Sequence, residues 1–233
     1  MLITNQTKQI FPNEISEGLV LLIDKPKYKT SFNIVSAVRK KLQIRKVGHA
    51  GTLDPLATGL LIVCAGKKTK EIYKYQDQHK VYEGIITLGS RTPSMDSETE
   101  PIEIKSFEHI TNERIEEVKK KFIGEIQQIP PMYSALKHKG KSLYKYARKG
   151  IEIKREPRTV TIYDFEIKDI NLPDIEFNVK CSKGTYIRVI ADDFGKDLEC
   201  GAHLSKLRRT MIGKYYVNNA LSLEELSDIQ VIV

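Results

Sequence analysis

No stretch of this 233-residue chain approaches the roughly 20 consecutive apolar residues of a membrane-spanning helix, so no membrane role is expected. The opening MLITNQTKQIFPNEISEG lacks the basic-then-apolar order of a secretory signal, and the expected location is the cytoplasm. Cysteine is scarce. Cys64, Cys181 and Cys200 are odd in number and show no C-x-x-C spacing. A disulfide framework does not fit that pattern, and the three are read as free thiols. CGAH (Cys200, His203) is at most half of a metal site, because no second half follows at ligand spacing and a closed zinc site needs four ligands. No metal or other cofactor is expected. Internal repeats and low-complexity segments are also absent.

What remains is an ordinary globular composition, 40% apolar and 29% charged, long enough for a sizeable core. The formal net charge is +8, which favours a polyanionic partner such as nucleic acid, although lysines on a solvated face would give the same number. GLVLLIDKP (18–26) reads as a buried strand stopped by Pro26. TSFNIVSAVRKKLQ (30–43) reads as a helix capped by Thr30 or Ser31, with Phe32, Ile34, Val35, Val38 and Leu42 on one face. Residues 45–58 read as a loop, 59–66 as a second buried strand, 67–79 as a short helix and 80–90 as a strand. RTPSMDSETEP (91–101) reads as a polar loop long enough to be mobile. Further helices are expected at 111–124, 142–150, 185–201 and 222–226, and antiparallel strands at 151–183 with a turn near NLPD. AHLSKLRRTMIG (202–213) reads as a strand. Helices and strands interleave without βαβ regularity. The expected class is α+β, with a mixed, largely antiparallel central sheet flanked by helices.

Carboxylates are common in the chain but almost missing from one place. GHAGTLDPLATGLLIVCAG (48–66) holds a single one, Asp54. Preceding Pro55, it is pushed to an extended or turn conformation, and an Asp-Pro turn accounts for it in isolation. Its setting allows more. GHAG permits close backbone approach by another molecule, and LLIVCAG offers no competing charge. A carboxylate beside an apolar wall can act as nucleophile or as acid/base group when a cation sets its ionisation. Arg188, in GTYIRV, and Lys25, in DKP, are candidates for that cation.

This stretch resembles the signature of the TruB family, bacterial tRNA pseudouridine synthases that act on the T-loop. The remaining motifs follow in the family's order: LLIDKP (21–26), KVYEG (80–84), IPPMYSALKHKGKSLYKYARKG (129–150), CSKGTYIRVIADDFG (181–195) and AHLSKLRRT (202–210). The resemblance spans about residues 18–213 and implies a pseudouridine synthase catalytic domain there. Residues 1–17 are then a loose N-terminal arm and 214–233 a short C-terminal tail. A complete RNA-binding domain of the PUA type, present after the core in many relatives, is not expected.

The resemblance implies roles residue by residue. Asp54 is the nucleophile. Tyr82 stacks on the target uracil and is a candidate for moving the C5 proton. Arg188 pairs with Asp54 and holds it ionised. Lys25 and Pro26 support the pocket floor, Leu207 is an apolar wall, and His49 enters the T-loop where the flipped nucleotide leaves a gap. Lys137, Lys139, Lys141, Lys145, Arg148 and Lys149, interleaved with Tyr144 and Tyr146, would contact phosphates, as would Arg208 and Arg209. Outside the resemblance each has a plainer reading: a strand-core tyrosine, a surface arginine, a core leucine, a loop histidine and a solvated helix face. The implied activity is isomerisation of uridine 55 of tRNA, by base flipping and by cleavage and re-formation of the glycosidic bond, with no redox change and so no cofactor. The implied partner is the tRNA T-arm, without guide RNA, and the implied state is a monomer. A non-catalytic RNA-binding or tRNA-folding module on the same scaffold is the alternative.

Overall fold

The apolar run near residue 20 is the strand Leu19–Lys25, with every residue through Ile23 buried, in a computed structural model that describes residues 1–232. Leu19, Leu21 and Ile23 pack into one cluster with Ile34, Val38 and Leu42. Val20 and Leu22 pack into another with Leu60, Ile62 and Ile212. Burial on both faces is why this strand reads as an unbroken apolar run and not an alternating one. Each such aliphatic side chain contributes roughly 1.5–3 kcal/mol on burial.

The chain forms two units, residues 1–83 with the C-terminal stretch from 207, and residues 84–206. It passes between them inside two strands, Lys80–Leu88 and Ala202–Ile212. In the first unit the strand order is Leu2–Ile3, Leu19–Lys25, Thr58–Ala65, Ala202–Ile212, Lys80–Leu88. Leu19–Lys25 and Thr58–Ala65 are antiparallel, whereas the pairings of Leu2–Ile3 and of Arg208–Arg209 with this sheet are parallel. The helix Ser31–Leu42 covers one face. Its N-terminus is capped reciprocally: Thr30 Oγ1 accepts from Asn33 N at 3.1 Å, and Asn33 Oδ1 accepts from Thr30 N at 2.8 Å.

In the second unit the last two of those strands continue and are followed by Asp174–Cys181, Arg158–Asn171 and Gly124–Gln128, the final three antiparallel. The helices Asn112–Lys120 and Ile187–Asp197 pack with it through Phe122, Phe165, Phe177 and Phe194, whose ring centroids lie 5.7–6.4 Å apart. The α+β class with a mixed sheet is as expected.

Four local expectations need correction. Residues 1–17 are not loose: Leu2–Ile3 joins the sheet, Pro12–Glu17 is helical, and Ile3 and Ile10 are fully buried. Their apolar residues are too widely spaced to show a period. The C-terminal stretch is likewise built in, with Gln230–Val231 paired to Gln9–Ile10 and with Leu221, Leu226 and Ile229 in the core. Phe32, expected on the buried helix face, is 62% exposed and lies under Arg39. The 45–58 loop contains a short strand, Val47–His49, paired with Thr58–Ala65.

Candidate active site

In the first unit the turn at Asp54 is held on both sides. Leu53 N donates to Ser31 Oγ at 2.9 Å, and that hydroxyl donates back to Leu53 O at 3.1 Å. Tyr28 N donates to Pro55 O at 2.8 Å, and Ala57 N to Asp54 O at 3.1 Å. The Asp54 side chain is half-buried.

Lys25 lies beneath this turn, wholly buried. Its Nζ donates to the carbonyls of Lys29 (2.7 Å), Pro26 (2.9 Å) and Pro55 (3.4 Å). Burial pushes the ammonium down to about 8, against the opposing pull of the Asp54 charge and with further depression by Arg209. Lys25 is therefore a cation at pH 7 and a neutral amine above about 8. If this charge assists Asp54, the single-turnover rate falls as pH rises through about 8. A rate profile from pH 6 to 9.5 checks this, and a flat line to 9.5 removes the assistance.

Tyr82 is 8% exposed, and the Arg209 guanidinium carbon lies 6.0 Å from its ring centroid. Arg209 is itself buried, with Nε donating to Leu60 O at 2.8 Å and a terminal nitrogen to Gly51 O at 3.2 Å. The reading of Arg209 as a phosphate contact is thus corrected: the side chain is buried, and two of its nitrogens donate to backbone carbonyls. Arg208, the preceding residue, is half-buried. Its guanidinium grips both carboxylate oxygens of Asp24, at 3.0 and 2.6 Å. Two adjacent arginines on a strand point to opposite faces, and LRRT held that signal. Leu207 is half-buried, with its carbonyl 3.5 Å from Thr58 Oγ1. His49, half-buried at the end of Val47–His49, is kept neutral at pH 7 by burial and by the Arg209 charge.

In the second unit Arg188 is the second residue of Ile187–Asp197 and is 3% exposed. One terminal nitrogen donates to Tyr133 O at 2.6 Å, the other lies 3.4 Å from Asp96 Oδ2, and the guanidinium carbon is 5.9 Å from the Tyr186 ring centroid. Sequence reasoning missed Asp96. It sits in the stretch expected to be mobile, yet its carbonyl accepts from Thr92 Oγ1 (2.7 Å) and Ser94 Oγ (3.1 Å), and its Oδ1 accepts from Glu98 N (3.0 Å). A polar segment folded on its own hydroxyls carries no hydrophobic period, so nothing in RTPSMDSETEP marks it as ordered. Lys137 starts a small hairpin, Lys137–His138 against Lys141–Ser142, and the six basic residues from Lys137 to Lys149 are all exposed.

The model of the TruB family pseudouridylate synthase N-terminal domain matches residues 39–187, and that of the tRNA pseudouridylate synthase B C-terminal domain matches residues 188–233. The chain belongs to the TruB family of pseudouridylate synthases. Among TruB relatives, the tRNA pseudouridine synthase B of Flavobacterium johnsoniae is 51% identical over 91% of this chain and 96% of its own length. That of Parabacteroides distasonis is 48% identical over 91% and 92%. A chain of a solved Cbf5-Nop10-Gar1 complex superposes with a TM-score of 0.74 at 30% identity, covering 97% of this chain and 58% of that one. Among the described residues no helix is long and apolar enough to cross a membrane.

Proposed function

We infer that this chain is a tRNA pseudouridine synthase whose target is uridine 55 in the T-loop, modified without guide RNA. The observation that carries the reading is the near full-length match to the TruB relatives, which extends over the Asp54 turn, Tyr82 and Arg188. The guide-free reading is favoured because the chain covers 96% of the length of the Flavobacterium relative, which is named as a tRNA pseudouridine synthase.

The reaction breaks C1′–N1 and makes C1′–C5; N1 gains a proton and C5 loses one. Asp54 is assigned as nucleophile, with Lys25 as the buried cation beside it, and Arg188 as a buried guanidinium needed for turnover. Tyr82 is assigned as the stacking face for the flipped uracil, and the exposed cluster around Lys137 as the phosphate contact. His49 is assigned to the gap that the flipped nucleotide leaves, a task a neutral imidazole can perform without a counter-charge. The test is incubation of the purified chain with unmodified tRNA alone and mapping of pseudouridine by position. Pseudouridine at 55 is expected; its appearance only with an added guide RNA would overturn the reading.

Tyr82→Leu is expected to lower the single-turnover rate severely. A stacked base is worth roughly 1–3 kcal/mol, and any proton role at C5 adds to that. An unchanged rate would return Tyr82 to the role of a strand-core residue.

A further inference from the structure

An ion pair next to Lys25 and Arg209 in the chain, Asp24 with Arg208, has no part in the assignments above. Asp24 lies one residue before Lys25, and Arg208 one residue before Arg209. The strand Thr58–Ala65 runs between them: Asp24 is opposite Leu60, Lys25 and Arg209 are both opposite Gly59, and Arg208 is opposite Thr58. The Arg208 guanidinium reaches over that strand, binds both oxygens of Asp24 at 3.0 and 2.6 Å, and comes within 3.5 Å of Thr58 Oγ1. Such a fork-to-fork pair fixes direction as well as distance.

Strand residues alternate between faces, so the clasp occupies one face while Lys25 and Arg209, both buried, occupy the other. Gly59 is the point of closest approach. A Cβ there would sit 2.3 Å from Arg209 O and 2.7 Å from Arg209 N, and its φ is +101°. The two buried cations repel each other across this point. A bridge on the opposite face opposes the separation of the strands that carry them.

We propose that Asp24 and Arg208 are positioning residues, and that their clasp sets the spacing of the two outer strands and thereby the place of Lys25 beside Asp54. Arg208 is then not a phosphate contact. The inference rests on the reading of Asp54 as nucleophile.

The experiment is a double-mutant cycle on the full chain with Asp24→Asn, Arg208→Gln and the pair combined. Single-turnover rate, tRNA affinity at two salt concentrations and Tm are measured for each. Each single variant is expected to slow turnover tenfold or more, with the double no slower than the worse single. Affinity and its salt slope stay within twofold of wild type, and the alkaline limb near pH 8 moves in Asp24→Asn. Arg208→Lys keeps the charge without the fork, and its rate is expected to fall between wild type and Arg208→Gln. It remains informative if Arg208→Gln folds poorly. Weakened affinity with a shallower salt slope in Arg208→Gln, beside a normal rate in Asp24→Asn, would make Arg208 a phosphate contact and overturn the proposal. Lowered Tm with normal rates would make the clasp purely structural and overturn it equally. Full activity of Asp54→Asn would sink the nucleophile reading while leaving the coupling between Asp24 and Arg208 measurable in its own right.

Discussion

Asp54→Asn is expected to abolish pseudouridine formation while tRNA binding persists. The substitution keeps the side chain's size, and the turn is held through backbone groups: Leu53 to the Ser31 hydroxyl, Pro55 to Tyr28 N, and Asp54 O to Ala57 N. The fold is therefore expected to survive while the negative charge is lost. An amide has neither the nucleophilicity nor the basicity to act at C1′ or at the ring. A rate loss of at least about 10⁴-fold, roughly 5.4 kcal/mol in barrier, is expected. Rate and Kd are read in one preparation, with the sequence of the variant verified. Near-normal turnover would remove Asp54 from the chemistry.

The next largest effect belongs to Arg188→Ala, expected to cut turnover by about 10³-fold, roughly 4 kcal/mol in barrier, with a much smaller change in affinity. The guanidinium is buried and ties Tyr133 O to Asp96. Its removal leaves the Asp96 carboxylate, 6% exposed, with the Glu98 amide but without its buried cation, and the 92–99 loop loses an anchor. Lysine offers no planar fork to serve both acceptors, so Arg188→Lys is expected to recover little. Asp96→Asn should fall in the same direction by a smaller factor, because Tyr133 O still holds one nitrogen. Loss of binding with a normal single-turnover rate would instead make Arg188 an RNA contact.

The parts of the fold that declared themselves in the sequence are those with strong local physics. Leu19–Lys25 and Thr58–Ala65 are apolar on both faces and bounded by Gly or Pro, and Thr30, Thr111 and Ser222 mark helix starts that the structure places within a residue. The N-terminal segment was illegible because its order comes from pairing with a distant strand, Leu2–Ile3 on Leu19–Lys25, and from two isolated buried isoleucines. The site divides along the same line. Asp54 stood out as the lone carboxylate of a long apolar segment. Asp96, Asp24 and Arg209 did not, because each gains its meaning from a partner far away in the chain: Arg188 for Asp96, Arg208 for Asp24, and the Leu60 and Gly51 carbonyls for Arg209. Adjacent Arg208 and Arg209 look alike in sequence. Only strand alternation separates them, one to a carboxylate on the half-exposed face and the other to carbonyls in the interior.

The most direct measurement follows the C5 hydrogen. Isomerisation at one uridine releases one hydrogen from C5, so an unmodified tRNA transcript carrying tritium at C5 of its uracils reports each event. With the purified chain and no other RNA, one equivalent of tritium per tRNA is the expected release, and none from a transcript with cytidine at position 55. No release, or release that persists without uridine 55, would contradict the assignment.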